Sequence, residues 1–113
     1  MSLPVKVGAD VKADLSGLDT TLLVEAFGHM ASLKDEPLLG QRLGDHPDVG
    51  DLSDCRKIYF DKARRRVVYR LVPDESEPKA VEIIVVGHRA DLHVYYEAVR
   101  RLGRTPGVDA PQK

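Results

Sequence analysis

Three stretches rich in strand-forming residues, about Cys55–Phe60, Arg65–Val72 and Ala80–Val86, follow one another with short polar breaks, and a helical pattern over about Asp91–Leu102 closes the run. Strands joined this closely pair antiparallel, so the second half of the chain reads as consecutive hairpins followed by a helix. Asp61-Lys62-Ala63 makes the first turn. Pro73 ends the second strand, and Asp74–Lys79 is a polar hairpin loop. Alternation sends Arg56, Ile58 and Phe60 of the first strand toward the core, with Lys57 and Tyr59 on the outer face. On the second strand Val67, Tyr69 and Leu71 share one face, and Arg66, Val68 and Arg70 the other. Val81–Val86 is nearly continuously apolar, as a strand covered on both faces is, and Gly87 permits a sharp exit from it. On the closing helix Leu92, Val99 and Leu102 share a stripe with one of Tyr95 and Tyr96. Arg100, Arg101 and Arg104 stand near its C-terminus, where the helix dipole favours cations.

The first half is less regular. Leu3–Gly8 suits a short edge strand, limited by Pro4 and Gly8. Asp10–Gly17 suits a short helical turn. A helix is expected over about Asp19–Leu33, with Asp19 as N-cap and Leu22, Leu23, Ala26, Phe27, Met30 and Leu33 as its apolar face. Gly28 weakens it by about 1 kcal/mol relative to alanine. Lys34–Pro37 closes the helix. Leu38–Ser53, with Gly40, Gly44, Pro47 and Gly50, reads as a loop crossing the domain. Gly103–Lys113 is expected to be frayed.

A chain of 113 residues, 42% hydrophobic and 31% charged, suits one globular domain, expected here over residues 1–104 with a flexible tail at 105–113. No apolar run approaches the ~20 residues of a membrane helix, and the N-terminus lacks the apolar core of a secretory signal. A lone Cys55 excludes an internal disulfide, fits a reducing cytoplasm, and inside a strand reads as a buried thiol. His29, His46, His88 and His93 make no metal-ligand pattern, and there is no glycine-rich phosphate loop. Neither a metal nor a small-molecule cofactor is expected. His88 reads as a solvent-facing turn residue.

Charge is unevenly divided. Residues 1–53 hold four Lys/Arg against nine Asp/Glu, a balance of −5, and residues 54–104 hold twelve against eight, a balance of +4. Such a split suits one half that faces a polyanion, through a local patch. Metal-free RNA cleavage needs a base for the ribose 2′-hydroxyl and cations for the charge that grows on phosphorus. Arginine donates two hydrogen bonds to a phosphate at once, and a tyrosine crowded by cations is a better base. Lys57, Arg66, Arg89 and Tyr95 supply that set if the strands pair in register. Taken singly, each also has a plain structural reading: solvated sheet surface for Lys57 and Arg66, a turn cap for Arg89, core for Tyr95.

The segments Asp54-Cys55-x-Lys57-Ile58, Arg66-x-Val68-Tyr69, Val86-Gly87-x-Arg89 and Val94-Tyr95-x-Glu97-Ala98-Val99-x-Arg101 resemble, in order and spacing, the RelE branch of the RelE/ParE toxin superfamily. The resemblance covers nearly half the chain. It implies an α+β fold, a small twisted antiparallel sheet of about four strands packed against N-terminal helices and a C-terminal helix. It implies the toxin of a type II toxin–antitoxin pair, a cytoplasmic, ribosome-dependent endoribonuclease that cuts mRNA, neutralised by a cognate antitoxin. By position, Lys57, Arg66, Arg89 and Tyr95 carry the catalytic roles, with Tyr95 as general base and Arg89 on the transition state. Tyr59, Arg70 and Arg56 are the further candidates for binding RNA. The chain departs from the pattern at Tyr59, where relatives hold a second lysine. Either Tyr59 stacks on a base, or Arg70 replaces the missing charge from the next strand. The acidic N-terminal region also differs from the basic helices of many relatives. Two other readings stay open, a ParE-like inhibitor of DNA gyrase and a non-toxic regulatory member.

Overall fold

The computed structural model describes residues 2–46 and 49–105. In chain order the elements are β1 (Val5–Val7), α1 (Ala9–Ser16), α2 (Thr20–Ser32), β2 (Gln41–His46), β3 (Gly50–Phe60), β4 (Arg65–Val72), β5 (Ala80–His88) and α3 (His93–Arg101), with one 3₁₀ turn at Ala90–Leu92 before α3. The fold class is the expected α+β. The strands form one sheet in the order β1-β5-β4-β3-β2. β1 lies at an edge, as its proline and glycine imply, and pairs parallel to β5; the other pairings are antiparallel.

The main departure from the sequence reading is β2 with the first part of β3. This hairpin pairs Gln41 with Lys57 and His46 with Gly50, so β2 and the start of β3 fall in the segment expected to be a loop, while Arg56 and Lys57 belong to the expected strand. Its period is masked by glycines at positive φ, Gly44 at +76° and Gly50 at +140°, and by a register irregularity between Arg42 and Gly44. Leu43 and Leu52 are nevertheless buried, so the hairpin keeps one apolar face. The tail expected to be flexible lies outside the described residues from 106 onward.

The sheet is covered on both faces. α1 and α2 bring Val11, Leu15, Ala26, Met30 and Leu33 onto Ile58, Phe60, Val67, Tyr69 and Leu71. α3 brings Val94, Tyr95, Ala98 and Val99 onto Leu52, Cys55, Val68, Ile84 and Val85. The Asp19 carboxylate accepts from the Leu22 amide and caps α2 as expected. Phe27, placed by spacing on the apolar face of α2, is half exposed instead; the helix turns Ala26, Met30 and Leu33 inward. The apolar run of β5 has a specific cause. Val68 pairs with Val85 and Tyr69 with Ile83, which leaves Ile84 as an extra residue. This bulge sends Ile84 and Val85 together to the α3 side, while Ile83 and Val86 face α1 and α2.

A candidate RNA-cleaving site

The site grows from the β3–β4 hairpin. Asp61, Lys62 and Ala63 all take left-handed φ values, 54°, 53° and 69°, and reverse the chain so that Tyr59 pairs directly with Arg66. On the other side Arg66 pairs with Gly87 of β5. Two residues later the Arg89 amide donates to the Arg64 carbonyl (3.0 Å), which fixes the start of the turn into α3. Tyr95 lies in the first turn of α3, against the same sheet face. Register and helix placement together bring Lys57, Tyr59, Arg66, Arg89 and Tyr95 into one region.

Arg66 is its centre. It is only 5% exposed. Its Nε donates to the Tyr95 hydroxyl (3.2 Å), and one terminal nitrogen donates to the carbonyls of Ala63 and Arg65. The guanidinium carbon stands 3.9 Å from the centroid of the Tyr59 ring. The Lys57 ammonium reaches between two aromatic rings, 5.0 Å from the centroid of Tyr59 and 5.8 Å from that of Tyr95. Tyr59, Arg66 and Arg89 line an open basin of about 590 Å³ together with Lys62, Arg64 and His88. No carboxylate is among its described lining residues.

The charges are sorted. Of the twelve Lys/Arg between residues 54 and 104, seven are in salt bridges: Arg56, Arg64, Arg65, Arg70, Arg100, Arg101 and Arg104. Among the described residues the other five, Lys57, Lys62, Arg66, Lys79 and Arg89, have no carboxylate partner. Four of these five stand at or beside the basin. Arg66 is thus a buried cation held only by neutral oxygens, with its charge left available to an incoming anion. The cations act on Tyr59 as well. The Lys57 ammonium beside its oxygen, with Arg66 and Arg89 nearby, holds the phenol below its ordinary value.

The structure brings Lys57, Arg66, Arg89 and Tyr95 into one region, whereas Arg56 and Arg70 stand elsewhere. Arg56 faces the opposite side of the sheet, where it pairs with Glu75 (2.9 Å) and donates to the Gly40 carbonyl (2.7 Å). Arg70 pairs with Glu82 (2.8 Å) and Asp54 (3.7 Å), four residues along β4 from Arg66, and lines a separate basin near β1. It does not replace a lysine at position 59. Lys62 and Arg64 were not singled out for the basin, and His88, next to Arg89, reads in the sequence as a solvent-facing turn residue. The signal was their place at the hairpin turn and strand end beside Arg66. His88 is exposed, as expected, with Nε2 3.5 Å from an Arg65 terminal nitrogen. Cys55 is fully buried, and burial pushes its thiol up to about 12, so it is no nucleophile. Among the described residues no cluster of His, Cys, Asp and Glu has the makings of a metal site.

The architecture is that of the RelE toxins. The chain is similar to a double mutant of Escherichia coli toxin RelE in the free state, with a TM-score of 0.70 and 22% identity over 90% of this chain and 99% of that one. It is similar to the RelBE toxin–antitoxin complex from Mycobacterium tuberculosis, with a TM-score of 0.62 and 23% identity over 79% of this chain and 100% of that one. An archaeal RelE–RelB complex from Pyrococcus horikoshii matches with a TM-score of 0.51 and 17% identity over 79% and 97%. At these identities the likeness establishes a RelE-like fold. No family model and no curated protein matches the sequence. No described helix is long and apolar enough to cross a membrane.

Proposed function

We propose that the chain is the toxin of a type II toxin–antitoxin pair, a cytoplasmic, metal-independent endoribonuclease that cuts mRNA on the ribosome. The observation that carries this reading is the buried Arg66, without a carboxylate partner among the described residues, at the rim of a basin where Tyr59 and Arg89 meet. A surface arginine kept for solubility is exposed or ion-paired; a buried one held by neutral oxygens suits an anionic ligand. Arg66 and Arg89 grip the scissile phosphate and the charge that grows on it, and Lys57 adds a compact charge beside them. Tyr95 completes the machinery through Arg66. The 2′-oxygen of the ribose attacks the adjacent phosphorus, and the 5′-oxygen departs. A ribonuclease that uses the substrate's own hydroxyl needs no metal-bound water.

The partner proposed is a small antitoxin encoded beside the toxin. Solved structures with this fold include RelE bound to RelB-type antitoxins. An extended antitoxin segment of acidic or mixed charge, laid over the cationic face, would hide the site.

Induction of the wild type and of the Arg66→Ala, Arg89→Ala double mutant, with 5′-end mapping of mRNA, tests the reading. Growth arrest with cuts inside translated codons, lost in the double mutant, is expected. Arrest with intact mRNA and blocked replication would overturn it in favour of a gyrase-type target, and absence of arrest would overturn the toxin reading altogether.

A further inference from the structure

We infer that Tyr59 takes the proton from the ribose 2′-hydroxyl, and that Tyr95 acts at one remove by positioning Arg66. The inference rests on the nuclease reading above and assigns the base within that site.

The two tyrosines stand in opposite environments. Tyr95 is 6% exposed, and its hydroxyl accepts a hydrogen bond from the Arg66 Nε (3.2 Å). Tyr95 is not among the described residues that line the basin, whereas Arg66 is, so its oxygen orients the guanidinium from behind and does not come within the about 2.6–3.2 Å of a substrate hydroxyl that a general base needs. Tyr59 is 40% exposed and lines the basin itself. Its ring is covered by the Arg66 guanidinium at 3.9 Å. The protein therefore already occupies ring surface that a stacked nucleobase would need, while the residue as a whole stays open to the basin.

The charged groups closest to Tyr59 are cations. Lys57 approaches from its own strand, Arg66 from β4 and Arg89 from the segment after β5. Lys62 and Arg64 of the turn and His88 at the end of β5 line the same basin, and Tyr95 of α3 lies across Lys57. None of these described groups is an acid. Lys57, hydrogen-bonded to the phenol oxygen, and the charges of Arg66 and Arg89 favour the phenolate and outweigh the opposing effect of burial, while the Arg64 charge is offset by Asp61. The lysine replaced at this position would itself be a proton acceptor only when neutral. A phenol among cations reaches the basic form by the opposite electrostatic route, because its basic form is the anion.

The step balances as follows. The Tyr59 phenolate accepts the 2′-hydroxyl proton, and the 2′-oxygen forms a bond to phosphorus. The bond from phosphorus to the 5′-oxygen breaks, leaving a 2′,3′-cyclic phosphate. The departing 5′-oxygen takes a proton from water. Arg66 and Arg89 hold the phosphate oxygens throughout.

The test is cleavage of mRNA on programmed ribosomes from pH 6 to 9.5, with the wild type, Tyr59→Phe, Tyr59→Ala and Tyr95→Phe. Tyr59→Phe keeps the ring under Arg66 and removes only the ionisable oxygen. It is expected to lower kcat by about 10²–10³-fold at little change in KM, and to abolish the rise of rate with pH. Tyr95→Phe is expected to cost about tenfold and keep that rise, since it loosens Arg66 without removing the base. Fluorotyrosine in place of Tyr59, a more acidic phenol of nearly the same shape, is expected to move the inflection to lower pH even if Tyr59→Phe folds poorly. A Tyr59→Phe protein that cuts like the wild type overturns the assignment, and if Tyr59→Ala is then inactive the residue is a stacking platform. Loss of the pH dependence in Tyr95→Phe overturns it too. A wild type that cuts no RNA overturns the nuclease reading first, and the assignment with it.

Discussion

Arg101 near the end of α3 grips Asp14 of α1 with both terminal nitrogens, at 2.7 and 2.8 Å, and the pair seals the edge of β5 that β1 leaves open. β1 pairs with β5 only from Val81 to Ile83. Beyond it, the Val86 amide donates to the Asp14 carboxylate (3.0 Å), and the Ile84 carbonyl accepts from Arg101 (3.0 Å). An ion pair thus completes the edge where the strand ends, and ties the helices of the two sheet faces together. Removing one partner leaves a largely buried charge and strand groups without their bonds. Arg101→Ala is expected to cost about 3 kcal/mol, read as a lower midpoint in urea. Arg101→Lys should recover little, because a lysine cannot serve carboxylate and carbonyl with a planar fork. A midpoint unchanged in both would show that the edge is held by packing alone.

The same helix end predicts an acid-labile fold. Arg100 and Arg101 hold the Glu97 carboxyl at about 2, against 4.5 for an unperturbed glutamate. A depressed carboxyl stabilises the folded state above its unfolded value and loses that contribution as pH falls toward its folded value. Stability should therefore fall between about pH 5 and pH 2 in the wild type. Glu97→Gln should flatten that slope while lowering stability at pH 7. Denaturant titrations at several pH values check this; equal slopes for the two proteins would contradict it.

Gly40 marks a second tight place. Its amide donates to the Tyr69 hydroxyl (2.8 Å), which in turn donates to the Pro37 carbonyl (2.8 Å). A β-carbon at position 40 would lie 2.7 Å from a Tyr69 ring carbon and 2.8 Å from the Lys57 carbonyl oxygen. Gly40→Ala must push the loop away from β3 or break the tyrosine bonds. A loss of about 2–3 kcal/mol is expected, with a lower melting temperature as the readout. Gly28, with open space around its α-carbon, is the control: Gly28→Ala should stabilise α2 by up to about 1 kcal/mol.

These contacts also explain what could be read from the sequence. The β3–β4–β5 run was legible because its alternation and its turns agreed, and the cationic cluster followed from the register that the hairpin imposes on Tyr59 and Arg66. β2 was not legible, because from Gly44 on its partners lie in the same glycine-rich segment and Leu43 and Leu52 alone carry its buried face. Arg56 and Arg70 are not distinguished in the sequence from the cations of the basin, because cations on strands look alike until their partners are known. Glu75 comes from a distant loop, and Glu82 sits opposite Arg70 on β5, a pairing shifted by the bulge at Ile84. The burial of Tyr95 depends on where α3 begins, and the 3₁₀ turn with Leu92 at φ 59° moves that start to His93.

Arg66 should be a residue whose removal spares the fold and destroys the activity. It is buried at 5% exposure and, among the described residues, has no carboxylate to offset the loss of water around its charge. Its bonds run to the Tyr95 hydroxyl and to turn carbonyls of Ala63 and Arg65, which water can reach once the side chain is gone. Replacing a buried, incompletely compensated charge by an apolar chain of similar length is often neutral or stabilising, by about 1 kcal/mol or more. Arg66→Met is therefore expected to melt at the wild-type temperature or above it, while growth arrest on induction disappears. Sites kept for function are commonly those where the folded state gives up stability. Arg65, one residue away and paired with Asp61 at 3.1 Å, provides the contrast: Arg65→Met should leave arrest intact. A large drop in melting temperature for Arg66→Met would make Arg66 a structural arginine and remove the main support for an anion site.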